Sequence, residues 1–252
     1  MTRALGRAIS IGIVLAVWIM LSWIFVSPRL ALFPPPWAVA ARFVELLQTE
    51  LPADILASLS EALGGWVIGS ALAVIVGTLI GRSPAIAFVL EPAVNFLRYI
   101  SPLAWVPLAI LWFGIGYWGK ASIIVLVSFF TVVVNTAHGM TSIDDETMKI
   151  TRVLKLNGRQ RVEVLFMSAL PDILVGLRYA LGVAWGGVVL SELVAGDVGL
   201  GALESMGGQS FDVAQIMVGM LTISLLGFGA NALFISAERR AFPWVVANRV
   251  PV

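Results

Sequence analysis

Five ionisable side chains fall within or beside the long apolar stretches of this sequence: Glu91, Arg98, His138, Arg178 and Glu192. Charged groups are costly inside a bilayer and usually face a bundle interior or a water-filled cavity. Arg98 and Glu192 lie deepest in their apolar runs, so we expect them to line a solute path. Near the ends of a run, where the other three lie, a polar side chain can simply reach the membrane interface.

The segment Gly114–Lys120, with the sequence GIGYWGK, fits the dinucleotide pattern GxGxxG and most of the phosphate pattern GxxxxGK. A phosphate-binding loop requires a strand before it and a helix after it in water, whereas this segment follows a Trp-rich apolar run. We therefore interpret it as a turn at the membrane interface. The sequence has neither HExxH nor GxSxG, so we predict no catalytic residue and no enzyme activity.

The composition is that of an integral membrane protein. Of 252 residues, 59% are hydrophobic and 12% charged, and the mean hydropathy is +0.96. A chain of this length cannot hide so much apolar surface in a water-soluble core, so its surroundings must be membrane lipid. The net charge of +1 gives no reason to expect a nucleic-acid partner. With no cysteine and one histidine, we expect no metal site.

The apolar runs predict an all-α protein with six membrane spans in a single transmembrane domain, residues 9–244. The spans are expected at residues 9–26, 62–80, 85–113, 121–138, 173–195 and 216–237. The third run is longer than a straight span requires and contains Pro92, Pro102 and Pro107, which predicts a broken or kinked element. Between the first two spans, residues 27–60 are interpreted as a polar loop with a modest amphipathic helix over Trp37–Gln48.

Six spans place both termini on one side, and the distribution of basic residues indicates which side. Eleven Lys and Arg residues lie on the side of the termini and the central loop, against three on the other side. Basic residues accumulate in cytoplasmic loops. We therefore predict that the N-terminus (1–8), the central loop (140–171) and the C-terminal tail (245–252) are cytoplasmic.

The central loop has a charged segment whose first half predicts a short helix. Asp144 is its candidate N-cap, Lys155 suits its C-terminal end, and Gly158 can adopt a left-handed turn that stops it. Apolar side chains collect on one face of this helix, which indicates that the face docks against a partner. The alternative is a basic loop that only fixes topology.

Gly158 is followed thirteen residues later by Pro171, in the dipeptide Leu170-Pro171. This spacing resembles the cytoplasmic EAA loop of binding-protein-dependent ABC transporter permeases, although Arg152, Val153 and Leu154 stand where that motif has Glu-Ala-Ala. Three further segments resemble the branch that imports nitrate, taurine and alkanesulfonates. They are SPLAWVPLAILWFGIGYWGK at 101–120, LPDILVGLRYALGVAW at 170–185 and SELVAGDVGLGAL at 191–203.

The resemblance implies a permease of the bacterial cytoplasmic (inner) membrane. It would work by alternating access, with a small anionic or zwitterionic solute. Its implied partners are a second permease copy, two ATP-binding cassette subunits that bind ATP and Mg, and an extracytoplasmic solute-binding protein. This chain would bind no cofactor itself. The residues expected to couple to the ATPase are Met148, Thr151, Arg152, Val153, Leu154, Asn157, Gly158, Leu170 and Pro171.

We place the solute path along the broken third element and the fifth span, because irregular backbone within a membrane is tolerated mainly where it faces protein or a cavity. The path residues are Arg98, Ser101, Trp105, Trp112, Ser191 and Glu192; the tryptophans could equally be packing or interface anchors. Two other classes stay open from the sequence. These are an ion-coupled secondary transporter and a membrane assembly subunit that moves no solute.

Overall fold

The computed structural model describes residues 2–24, 32–143, 145–154 and 156–247. Every regular element in these ranges is an α-helix, as the apolar runs predict. The helices are α1 (Thr2–Ile24), α2 (Pro36–Leu47), α3 (Leu51–Arg82), α4 (Pro84–Leu97), α5 (Pro102–Phe113), α6 (Tyr117–Thr141), α7 (Asp145–Val153), α8 (Gly158–Ala195), α9 (Leu200–Gln209), α10 (Val213–Ala241) and α11 (Pro243–Ala247).

Four of the helices in the described ranges, α3, α6, α8 and α10, are long and apolar enough to cross a membrane. The pair α4 and α5 adds a fifth span if it is counted as one. The predicted span 9–26 corresponds to α1, whose apolar part Gly12–Ile24 is shorter than a full crossing, and residues 25 and 26 lie outside the described ranges. Six spans with cytoplasmic termini therefore stay a prediction.

The third predicted span is broken, as its prolines indicate. α4 and α5 are bent by 101° at residues 98–101. Pro102 is the first residue of α5, and Ser101 before it has an extended conformation with ψ 134°. A residue that precedes proline is restricted to such a conformation, so no helix can continue from α4 through Ser101 into α5. Pro92 and Pro107 lie inside α4 and α5 without ending either helix.

Helices α3 and α6 pack closely through small residues on α3. Gly65, Gly69, Ala73, Gly77 and Gly81 recur every fourth residue and therefore form one stripe along α3. A Cβ at Gly77 would lie 2.7 Å from the Cβ of Thr136, and one at Gly69 would overlap the Val125 carbonyl oxygen. Small residues allow this backbone approach, which drives helix association in lipid.

The polar segment before the second span is more ordered than the sequence predicts. The amphipathic helix expected at Trp37–Gln48 is present as α2, but α3 begins at Leu51, eleven residues before the predicted start at 62. The interpretation of residues 51–60 as loop is therefore wrong. Arg42 connects α2 to the start of α10 by two interactions. Its Nε lies 3.0 Å from Asp212 Oδ2, and its Nη2 donates to Gln215 Oε1 at 2.8 Å.

Candidate functional site

The predicted short helix of the central loop corresponds to α7. Its predicted N-cap Asp144 and the C-terminal Lys155 lie outside the described residues. α7 ends at Val153, and the Leu154 N–H donates to the Ile150 carbonyl at 3.0 Å. The chain therefore makes one short, separate helix between the long helices α6 and α8.

Gly158 begins a helix, so its predicted role as the end of the preceding helix is wrong. The Gln160 N–H donates to Asn157 Oδ1 at 2.9 Å, and the Asn157 N–H donates to Gln160 Oε1 at 3.1 Å. This reciprocal pair is a capping box that satisfies two N–H groups at the start of α8. Asn157 and Gln160 together form the sequence pattern of a helix start. Here that pattern outweighs the tendency of Gly158 to end a helix.

The exposed apolar side chains of α7 and its following turn lie together. Ile150, Val153 and Leu154 are 50%, 78% and 63% exposed. Thr151, another predicted coupling residue, is buried at 2% exposure. Met148 and Arg152 lie on the same short helix. We call Ile150, Val153 and Leu154 the α7 patch.

Leu170 and Pro171, both expected to couple to the ATPase, lie inside α8. Pro171 lacks an N–H, but α8 continues through it to Ala195. Leu170 is 5% exposed and packs with Leu174 and with Val245 of α11. Of the predicted coupling residues, Leu170 therefore belongs to the interior, where it contacts the last described helix of the chain.

A groove runs along the start of α8, and Leu156, two residues after the α7 patch, belongs to its lining. Its volume is about 540 Å³. It is lined by Leu156, Gln160, Glu163, Val164, Met167 and Ser168. An exposed apolar patch beside an open groove is typical of a surface that receives a partner.

Arg98 lines a cavity of about 470 Å³ at the break between α4 and α5. Its guanidinium lies 4.9 Å from the Tyr99 ring centroid, and Nη2 donates to the Tyr99 hydroxyl at 3.0 Å. Thr131 and Asn135 of α6 and Tyr179 of α8 line the same cavity. Ser101 is exposed at the break itself. The cavity thus combines one cation with hydroxyl and amide groups.

A second cavity of about 420 Å³ adjoins the first, because Tyr179 and Val183 line both. It contains Arg178, whose Nε donates to Asn231 Oδ1 of α10 at 3.0 Å. From its position near the end of an apolar run, Arg178 is expected to reach the membrane interface, and the sequence predicts no role for Tyr179 or Asn231. Tyr179 and Asn231 are hard to recognise from the sequence, because each is a single polar residue in an apolar run.

The two tryptophans predicted for the path, Trp105 and Trp112, line a different cavity from Arg98. Trp105 and Trp112 line a cavity of about 380 Å³ between α3, α5 and α6, together with Trp118, Phe113 and other apolar side chains. Trp105 also packs on a buried cluster formed by Val106, Ala109, Ile123 and Val127. This cavity suits an apolar occupant, in contrast to the cavity of Arg98.

Ser191 and Glu192 are 1% and 0% exposed, so in this chain neither side chain lines an open cavity, contrary to the expectation for a path. The Ser191 hydroxyl donates back to the Val188 carbonyl at 2.9 Å. Glu192 belongs to a group of buried polar residues at the end of the bundle opposite α7. We call this group the distal cluster. Its members are Asp54, Ser58, Glu61, Lys120 and Glu192.

In the glycine-rich segment Gly114–Lys120, residues 114–116 form the turn between α5 and α6, and Tyr117 to Lys120 begin α6. Gly114 and Gly116 have φ values of 77° and 135°, which favour glycine. No strand precedes it, since Phe113 ends α5. Its lysine is 6% exposed and forms an ion pair with Glu61 of the distal cluster. Lys120 is therefore committed to a buried partner rather than to a phosphate.

Comparisons with known proteins agree with this architecture. Residues 65–245 match the family described as binding-protein-dependent transport system inner membrane component. An ABC transporter permease protein of Brucella melitensis is 39% identical over 84% of this chain and 87% of its own length. The aliphatic sulfonates transport permease protein SsuC of Bacillus subtilis is 31% identical over 92% of this chain and 85% of its own.

The fold also matches a solved structure. An inward-facing form of the MetNI methionine ABC transporter aligns with a TM-score of 0.60 and 17% identity, over 75% of this chain and 98% of that one. Permeases named for taurine and nitrate match this sequence as well. The resemblance to the nitrate, taurine and sulfonate branch is therefore confirmed. This chain is a multi-pass membrane protein that belongs to the family of binding-protein-dependent transport system inner membrane components.

Proposed function

We propose that this chain forms the membrane path of an ATP-driven importer. It works as one of two permease copies, with two ATP-binding cassette subunits that bind ATP and Mg and with an extracytoplasmic solute-binding protein. The family match over residues 65–245 carries this proposal, since the family is defined by transport that depends on a binding protein. The basic termini and central loop support a cytoplasmic position for α7.

The α7 patch is the proposed contact with the ATPase. Three apolar side chains of a short helix in water are unfavourable unless a partner covers them, at about 25 cal/mol for each Å² of apolar surface. Its neighbouring groove along α8 offers room for side chains of that partner. Because Glu-Ala-Ala is replaced at Arg152, Val153 and Leu154, the contact depends on shape and apolar burial more than on one acidic side chain.

The proposal is tested by purifying the tagged chain from its own host in mild detergent and identifying what accompanies it. We expect an ATPase subunit at one copy for each permease. The double variant Val153→Asp, Leu154→Asp should release the ATPase. Binding would bury the two new carboxylates at the contact, where they would have no partners. Val162→Asp is the matched control, since Val162 is 62% exposed on α8 outside the patch and the groove. A chain that purifies alone and transports without ATP would contradict the proposal.

The proposed solute path passes the cavity of Arg98, with Ser101 at its entrance and the tryptophan-lined cavity of Trp105 and Trp112 beside it. In this proposal a second copy closes the open side of the Arg98 cavity. A guanidinium beside hydroxyl and amide groups suits a small anion or zwitterion, because its N–H fork pairs with sulfonate, carboxylate or nitrate oxygens. The sulfonate, taurine and nitrate permeases among the relatives support this class of solute.

A further inference from the structure

The distal cluster joins α3, α6 and α8 to the turn before α9. Asp54, Ser58 and Glu61 come from α3, Lys120 from α6 and Glu192 from α8. None is more than 7% exposed. Buried charges must be paired or hydrogen-bonded, so each polar atom of this cluster can be assigned a partner by elimination.

Three successive backbone N–H groups at the start of α9 donate hydrogen bonds to side chains of this cluster. Gly199 donates to Asp54 Oδ1 at 2.8 Å, Leu200 to Ser58 Oγ at 2.9 Å and Gly201 to Glu192 Oε2 at 2.7 Å. Since Ser58 Oγ accepts from Leu200, its own proton goes to Glu192 Oε1, at 2.6 Å. Both oxygens of Glu192 therefore accept hydrogen bonds, at the positive end of a helix dipole.

The distal cluster contains more acidic than basic side chains. Lys120 forms an ion pair with Glu61 Oε1 and donates to the Val198 carbonyl at 3.0 Å. Glu61 Oε2 is buried and no described group donates to it. Glu61 lies about one helical turn after Ser58 on α3, and Ser58 donates to Glu192, so the Glu61 and Glu192 carboxyls lie on the same side of α3. Three acids thus share one ammonium, and two of those acids are adjacent.

We propose that Glu61 and Glu192 hold one buried proton between them, carried on Glu61 Oε2 and donated to Glu192. An O–H at this atom turns the one unpaired acceptor into a donor and removes the repulsion between two adjacent carboxylates. Glu192 then accepts from Ser58, Gly201 and Glu61, while Glu61 Oε1 still accepts from Lys120. All three bonds are compatible, whereas a proton on Glu192 would oppose the donors already bound there.

The proton would fasten α3 to α8 and, through Glu192, to the start of α9. The other ionisable groups near this site are Asp54 on α3, Lys120 on α6 and the exposed Asp197 of the turn. Glu50, the N-cap residue of α3, lies about one helical turn before Asp54. Asp54 is committed to Gly199, so Lys120 is the one cation that faces the pair in the described part of the chain.

Two amide substitutions in the full-length chain, reconstituted in lipid nanodiscs, test the proposal. Gln at position 61 can donate its N–H₂ to Glu192 and accept from Lys120, so Glu61→Gln should change the apparent Tm by no more than about 3 °C. Gln at position 192 must turn a donor toward Ser58 or Gly201, so Glu192→Gln should lower it by more than about 5 °C.

Infrared spectroscopy supplies a second measurement that does not depend on stability. The wild-type chain should show the carbonyl stretch of a protonated carboxylic acid at about pH 8.5, above the pKa of about 7 of the half-buried Glu204. The band should be lost in Glu61→Gln and kept in the control Glu204→Gln. A wild-type spectrum without the band, a band that survives in Glu61→Gln, or a milder effect of Glu192→Gln would each overturn the proposal.

Discussion

Asn157 and Gln160 exchange two hydrogen bonds, at 2.9 and 3.1 Å, and thereby fix the first turn of α8 directly after the α7 patch. The pair sets where α8 begins and so determines the short connection between the two helices. Anything that moves α7 acts on α8 through this connection. The capping box therefore lies directly beside the proposed contact with the ATPase, although neither side chain is apolar.

Replacing Asn157 with alanine should loosen the start of α8. Loss of an N-cap side chain costs about 1 kcal/mol, so amide hydrogens of residues 158–163 should exchange several-fold faster. Asn157→Asp is the matched control, because aspartate caps equally well and suits the helix dipole. Equal exchange in Asn157→Ala and wild type would exclude a stabilising role for the capping box.

Gly69 should tolerate no side chain. A methyl group there would meet the Val125 carbonyl oxygen of α6, a backbone atom that cannot turn aside. We expect Gly69→Ala to cost about 1–3 kcal/mol, seen as a lower apparent Tm in detergent. Gly229→Ala on α10 is the control, because a Cβ there has no atom within 4 Å. It should be neutral or slightly stabilising. Equal Tm values would show that α3 and α6 can separate without cost.

Stability should fall with pH through the titration of Glu204. Burial of its carboxyl, which lies beside Gly219 of α10, raises its pKa from 4.5 to about 7. The folded state thus binds this proton more tightly than the unfolded chain. Its contribution is complete below about pH 4.5 and is lost as the pH rises through about 7. Thermal melts across this range should show a smaller decline in Glu204→Gln than in wild type or the exposed control Glu163→Gln.

Arg98→Ala should reduce uptake of an anionic solute by about tenfold or more, the equivalent of one charge-assisted hydrogen bond. Arg98→Lys should retain part of the rate, because it keeps the charge but loses the planar fork. The measurement is uptake of labelled taurine, nitrate or an alkanesulfonate by liposomes holding the assembled complex. Arg239→Ala, on the exposed end of α10, controls for a general loss of charge. Unchanged uptake and solute preference would remove Arg98 from the path.

The positions of the membrane helices could be predicted because lipid imposes its requirement locally. Each stretch of about twenty apolar residues satisfies the bilayer by itself, and this gave α6 and α10 with small errors at their ends. The break of the third element was also local, since Pro102 restricts Ser101 whatever surrounds it.

The polar interior could not be predicted, because its partners are distant in the sequence. Polar residues such as Asp54 and Ser58 make residues 51–60 resemble a loop, yet their partners are more than 130 positions away in the sequence. The partner of the next acid, Glu61, is Lys120. Glu192 was identified as unusual but was assigned to the path rather than to the interior. A buried acid and a path-lining acid have the same sequence pattern.

The length of α8 has a mechanical consequence. Its 38 residues give about 57 Å at 1.5 Å per residue, almost twice the ~30 Å hydrocarbon core of a bilayer. The capping box starts it beside α7, and Glu192 lies near its other end in the distal cluster. The single helix α8 therefore connects the α7 end of the molecule with the distal cluster. A tilt of α8 at its α7 end would therefore displace Glu192 and, through the hydrogen bond from Gly201, the start of α9.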